Sequence, residues 1–185
     1  MKKIFLVISL LFILSSCNNS NLETKIDTKK ETVITSSISP ISSIVNEISD
    51  SSIKTNTIVP IWVTPHWFDM KVQEAKNISD SKIVFTIWSW LDSFLDSSLE
   101  GKYSVVLSDF VQLKKQKAHH HDEHENENDE HADEENELVN DPHIWLWIEN
   151  TSIIAEKVYE ELTKLDFSKK DFYKTNLNSF NSELT

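Results

Sequence analysis

The sequence predicts an α/β domain built on a parallel β-sheet that is flanked by helices. Short runs rich in apolar and β-branched residues alternate with segments whose apolar residues recur at helical spacing. Strands that alternate with helices favour parallel pairing, with helices covering both faces of the sheet. The chain has 185 residues, which is enough for one domain with its own core. The predicted strands span residues 32–38, 53–59, 83–87 and 104–107.

The predicted helices are indicated by apolar residues three or four positions apart. Ile41, Ile44, Val45 and Ile48 form such a face in the first helix, directly after the first strand. The last helix begins near residue 168 and reaches Thr185 without a stop signal, so we expect it to be truncated. The other three helical patterns span residues 72–78, 91–99 and 153–165.

The first 30 residues are predicted to export and tether the protein. Two lysines precede an apolar core at residues 4–14, which is the length of a signal peptide and too short for an ordinary membrane span. Residues 14–17 (LSSC) resemble a bacterial lipobox, so residues 1–17 would be a lipoprotein signal with Cys17 as the lipidated residue. The alternative is a plain secretory signal with an incidental cysteine. Residues 18–30 are polar and aperiodic, as expected of a flexible tether.

A run rich in histidine and acid stands out in the second half of the chain. Ten Asp and Glu residues lie between positions 122 and 137, and setting them aside changes the net charge from −12 to −2. The run has no apolar periodicity, so we predict a disordered loop over residues 118–140. Imidazoles and carboxylates suit zinc and related metals, so the loop could collect metal or could be only a solvated linker. Its histidines are His119, His120, His121, His124 and His131.

Three passages together resemble one family. They are residues 59–66 (VPIWVTPH), 83–95 (IVFTIWSWLDSFL) and 140–150 (NDPHIWLWIEN). In this order, with the His-rich loop before the third, they resemble the N-terminal lobe of the ZnuA-like lipoproteins, the zinc/manganese substrate-binding proteins of ABC importers.

The resemblance covers residues 31–185 and implies a two-lobed metal-receptor fold. Residues 31–166 would be the N-terminal lobe and residues 167–185 the start of a connector helix. His66 and His143 match the two histidine ligands of that lobe, although either histidine alone could be a hydrogen-bonded loop residue. The third and fourth ligands would come from a C-terminal lobe that this sequence lacks.

The function that the resemblance implies is capture of Zn(II), or less favourably Mn(II), outside the membrane for an ABC permease. Such a protein would be a lipid-anchored monomer that catalyses nothing. The absence of a basic stripe argues against nucleic acid as a partner. The alternatives are a stand-alone metal buffer, a metal-binding adhesin or a non-functional fragment. A zinc hydrolase is disfavoured because the sequence has no HExxH helix.

Glycine and tryptophan occur in unusual numbers. Gly101 is the one glycine, where average usage would give roughly thirteen, and there are six tryptophans. Five tryptophans occupy turns where the family would have glycine or a small residue. We hypothesise that UGA codons meaning glycine were read as tryptophan at these positions, and the alternative is an aromatic-rich cleft. UGG codons in the gene would contradict recoding. The five residues are Trp62, Trp67, Trp88, Trp90 and Trp147.

Overall fold

A computed structural model of the chain describes residues 31–88, 91–117 and 138–184. Their centre is a four-stranded parallel sheet in the order β2-β1-β3-β4. Two further short strands, β5 and β6, pair as an antiparallel hairpin. The predicted α/β class with a parallel sheet is therefore confirmed. The strands are β1 (Val33–Ser36), β2 (Lys54–Thr57), β3 (Ile83–Thr86), β4 (Ser104–Val106), β5 (Lys115–Lys117) and β6 (Leu138–Asn140).

Five α-helices lie in the described ranges, and short 3₁₀ turns join several of them to the strands. None of these helices is both long enough and apolar enough to cross a membrane. The helices are α1 (Ser39–Ser49), α2 (Val72–Asp80), α3 (Asp96–Leu99), α4 (Ile148–Leu165) and α5 (Lys170–Glu183). The 3₁₀ turns are Pro65–Trp67, Ser93–Leu95, Leu107–Asp109, Ile144–Leu146 and Phe167–Lys169.

Helix α1 illustrates how local sequence fixes an element. Pro40 lies in the first turn of the helix, where the N–H that proline lacks would have had no partner within the helix. The helix ends at Ser49 and is capped by Asp50, whose left-handed backbone (φ 48°) lets its N–H donate to the carbonyls of Asn46 and Glu47. Between these ends, the predicted apolar face is fully buried.

The sheet buries side chains on both faces because strand residues alternate sides. Ile34 and Phe85 point to the face covered by α1, α4 and α5, where the larger core cluster lies. Val84 points to the opposite face and packs with Ile78 of α2 and with Leu95. Both faces are thus covered, as expected of a parallel sheet.

Two predicted boundaries differ from the structure. The helix expected over residues 91–99 is a 3₁₀ turn at Ser93–Leu95 followed by the single turn of α3. Residues 138–140 lie in the segment predicted to be a disordered loop (118–140) but form β6 and pair with β5, and residues 118–137 lie outside the described residues. β5 has the sequence KQK, so its pairing comes from backbone hydrogen bonds and not from an apolar pattern.

The topology places a crevice at one edge of the sheet. The chain leaves β1 for β2 on one side and later returns to pair β3 on the other side. At such a switch point the connections after neighbouring strands diverge, which leaves an opening beyond their carboxyl ends. One cavity there is lined by the segments that follow β1 and β2, and a second is lined by the segments that follow β2 and β3.

Candidate metal centre

His66 lies in the long connection that follows β2. Pro65 opens the 3₁₀ turn Pro65–Trp67, and the N–H of Phe68 closes it on the Pro65 carbonyl at 3.4 Å. The Phe68 ring packs edge-on against Phe94, with centroids 5.4 Å apart, and lies against the core. This contact fixes the turn, and the exposed imidazole of His66 lines a cavity of about 360 Å³ together with Leu91 and Ser93.

His143 lies just after β6, between two buried residues, Pro142 and Ile144. The His143 carbonyl accepts a hydrogen bond from the N–H of Leu146 at 3.1 Å, which closes the 3₁₀ turn. Its ring meets the half-buried ring of Trp145 edge-on, with centroids 5.4 Å apart. The imidazole therefore sits on an ordered turn with restricted freedom to swing.

The two predicted ligands, far apart in sequence, lie side by side in the fold. The ring centroids of His66 and His143 are 5.7 Å apart, and the ring planes are inclined by 52°. With Zn–N bonds of about 2.0–2.1 Å, two imidazoles on one ion have centroids roughly 5–6 Å apart. The pair therefore has the spacing of two ligands that share one metal ion.

A carboxylate that was not predicted from the sequence contacts His143. Oδ1 of Asp141 accepts a hydrogen bond from the backbone N–H of His143 at 2.9 Å and lies 2.7 Å from its ring Nδ1. The Asp-Pro-His sequence at residues 141–143 could have predicted this contact. An aspartate readily accepts a hydrogen bond from the N–H two residues later.

Asp92 is a second acidic residue that sequence reasoning missed. Its carboxylate is 2% exposed and accepts a hydrogen bond from the N–H of Ile87, at the end of β3. Burial raises the pKa of Asp92 to about 6, and the hydrogen bond from Ile87 offsets this only in part. The carboxylate thereby closes the turn that presents Leu91 and Ser93 to the His66 cavity.

The described residues contain two candidate ligands and no complete set of metal ligands. Across residues 31–88, 91–117 and 138–184, no group of three His, Cys, Asp or Glu side chains is placed to hold a metal ion. A tetrahedral site would need further ligands beyond His66 and His143. Outside the described residues lie Cys17, His119, His120, His121, His124 and His131.

The backbone does not require glycine at the described tryptophans. Within the described residues, positive φ occurs at Asp50, Ser51 and Gly101 only. None of Trp62, Trp67, Trp88 and Trp147 therefore has a positive φ, and Trp90 lies outside the described residues. The indole of Trp67 is 78% exposed beside His66, so it does not fill the cleft.

The fold is that of periplasmic metal-binding proteins. The Mn-bound periplasmic metal binding protein from Candidatus Liberibacter asiaticus superposes with a TM-score of 0.65 at 19% identity, covering 83% of this chain and 53% of that one. Residues 34–185 match the family described as zinc-uptake complex component A, periplasmic. This match spans well over half of the sequence, so the chain belongs to that family, which confirms the resemblance.

Two individual relatives are named as components of metal transport. A metal ABC transporter substrate-binding lipoprotein of Lactococcus lactis is 26% identical over 182 residues, which cover 98% of this chain and 56% of the relative. The high-affinity zinc uptake system protein ZnuA of Haemophilus influenzae is 30% identical over 92 residues, 47% of this chain and 27% of that protein. The chain thus spans about half the length of the Lactococcus relative.

The N-terminus has a separate match. Residues 1–18 match the lipid attachment site of prokaryotic membrane lipoproteins. The prediction of an exported, lipid-anchored protein is therefore confirmed.

Proposed function

We propose that this chain is the metal-binding lobe of an exported receptor that captures Zn(II) and passes it to an ABC permease. The main support is the pair of imidazoles, with centroids 5.7 Å apart, at the carboxyl edge of the sheet. A receptor of this kind holds its cargo by coordination and catalyses no reaction. The names of the relatives, which describe transport components, agree with this role.

The proposed roles of individual residues are those that the sequence predicts. His66 and His143 bind the ion, and Cys17 carries the lipid. Residues 31–166 form the lobe, residues 167–185 begin a connector, and a second lobe completes the coordination. The protein acts as a monomer beside its permease. The five histidines within residues 118–137 act as an accessory arm that raises the local metal concentration.

Zinc is the metal that the ligand chemistry favours. Neutral imidazole is a good ligand for Zn(II), whereas Mn(II) prefers carboxylate, carbonyl and water oxygens. The relatives include a zinc uptake protein, and the superposed structure holds manganese, so Mn(II) is the alternative cargo. The choice is tested with a chain whose five arm histidines are replaced by Gln, by offering it equal Zn(II) and Mn(II) and measuring the bound metal by mass spectrometry. Preferential retention of manganese would contradict it.

The assigned ligands are tested by titrating Zn(II) into the full chain in detergent micelles. The reference is a chain whose five arm histidines are replaced by Gln, so that the arm does not mask the site. In that background, His66→Gln and His143→Gln should each weaken Zn(II) binding at least tenfold. Gln73→Ala, on exposed α2, is the matched control and should leave the affinity unchanged. Equal affinity in all four chains would refute the assignment.

A metal buffer or adhesin is the second candidate, favoured by the composition of the His/acid run alone. Deleting residues 119–137 separates the two functions. A receptor keeps its tightest Zn(II) site after the deletion and loses only weak binding, whereas a buffer loses nearly all its binding.

A further inference from the structure

The environment of His143 constrains which of its ring nitrogens can bind a metal. Oδ1 of Asp141 lies 2.7 Å from Nδ1 of His143. An ionised carboxylate only accepts hydrogen bonds, so Nδ1 must be protonated and act as donor. In a neutral imidazole the other nitrogen, Nε2, then has no proton and offers its lone pair. The contact with Asp141 therefore selects one tautomer.

Asp141 is itself held from two sides. Its N–H donates to the carbonyl of Lys114 at 2.8 Å, which extends the β5–β6 ladder by one bond. Its carboxylate accepts the backbone N–H of His143 across the buried Pro142, whose ring fixes the intervening φ. The Asp141 side chain is 15% exposed, compared with 36% for that of His143. Asp141 is thus the more buried and better anchored member of the pair.

We propose that Asp141 is a positioning residue that holds His143 in the Nδ1-protonated tautomer and leaves Nε2 to receive the metal. The paired strands β5 and β6 anchor this carboxylate, so the orientation of the His143 ring depends on their pairing. The tautomer assignment rests on the contact between Asp141 and Nδ1 of His143, and only its consequence for metal affinity rests on the proposed function. Partners of this kind typically change metal affinity 10–100-fold.

The test uses ¹⁵N-labelled full chain in detergent, observed by NMR at about pH 8, where free imidazole is neutral. The His143 ring signals are assigned by their loss in His143→Gln. We expect Nδ1–H in the metal-free wild type and a shift toward Nε2–H in Asp141→Ala. Asp141→Asn keeps an acceptor oxygen at the same place and should retain most of the Nδ1–H form. Glu149→Gln, which removes an exposed carboxylate on α4, is the control and should not change the tautomer.

Zn(II) is then titrated while the His143 signals are followed, so that binding elsewhere does not interfere. In Asp141→Ala, the Zn(II) concentration for half-saturation of His143 should rise about 10–100-fold. An unchanged tautomer in Asp141→Ala would overturn the inference, and so would zinc bound through Nδ1 in the wild type. If His143 does not respond to Zn(II) in the wild type while the tautomer shifts as expected, the proposed function fails and the positioning role of Asp141 survives.

Discussion

Replacing Asp92 with Asn should stabilise the domain at neutral pH and have little effect in acid. The carboxyl is 2% exposed, and burial raises its pKa from the ordinary value of 3.8 to about 6. The native state therefore holds this proton more tightly than the unfolded chain does. As pH rises from 3.8 to about 6, ionisation favours the unfolded chain and the domain loses stability.

The size of this effect follows from the difference between the two pKa values. Each pKa unit is worth about 1.36 kcal/mol, so a rise from 3.8 to about 6 amounts to about 3 kcal/mol. Asn has the shape of a protonated Asp92, and its amide oxygen can accept the same hydrogen bond from Ile87. The variant should therefore equal the wild type below about pH 3 and exceed its free energy of unfolding by about 3 kcal/mol above about pH 7.

Urea unfolding of both chains, followed by circular dichroism with chelator present, gives this difference across the pH range. Other titrating groups contribute equally to the two chains and cancel in the difference. Asp109→Asn, at an exposed position in a 3₁₀ turn, is the control and should show no such pH-dependent gain. A stability difference that does not change with pH, or a variant less stable than the wild type at neutral pH, would refute the reasoning.

Three further changes test other parts of the fold. Glu161→Ala should lower the free energy of unfolding by about 3 kcal/mol, because this 1% exposed carboxylate accepts hydrogen bonds from Tyr103 and Lys164; urea unfolding measures the loss. Gly101→Ala should lower the free energy of unfolding by about 1–2 kcal/mol, and urea unfolding measures this loss. The loss should come from backbone strain alone, since φ is +70° and an added Cβ meets nothing within 4 Å. Trp62→Gly should change the free energy of unfolding by less than about 1 kcal/mol, because the indole is 83% exposed. Thermal unfolding would reveal any larger loss.

The strands and long helices could be predicted because burial leaves a regular pattern. Ile34 and Phe85 belong to strands buried on both faces, which read as continuous apolar runs. The hairpin could not be predicted in the same way, since its residues are polar or exposed and only their backbone pairing defines it. The prediction for the segment after β3 was wrong because Leu91 and Leu95 have helical spacing, although the chain there forms tight turns.

The two histidines at the site are predicted from the sequence, whereas the two acidic residues are not. His66 and His143 stand in motifs that the family resemblance marks. Asp92 and Asp141 are isolated acids, and isolated acids are usually solvated, so composition gives no reason to select them. Asp92 matters because it is buried in the folded protein, which the sequence does not show. Asp141 matters because it accepts a hydrogen bond in a local turn, which the Asp-Pro-His spacing could have indicated.

The spacing of the two proposed ligands is set by the packing of the turns that carry them. His66 is held through Phe68 against Phe94, and His143 is held through buried Ile144 and its bond to Asp141. Each imidazole is thus anchored by its own contacts, and the ring centroids lie 5.7 Å apart. Binding of an ion to such a preorganised pair needs little further ordering of the chain. Affinity should therefore depend more on the remaining ligands and on the tautomer of His143 than on folding around the metal.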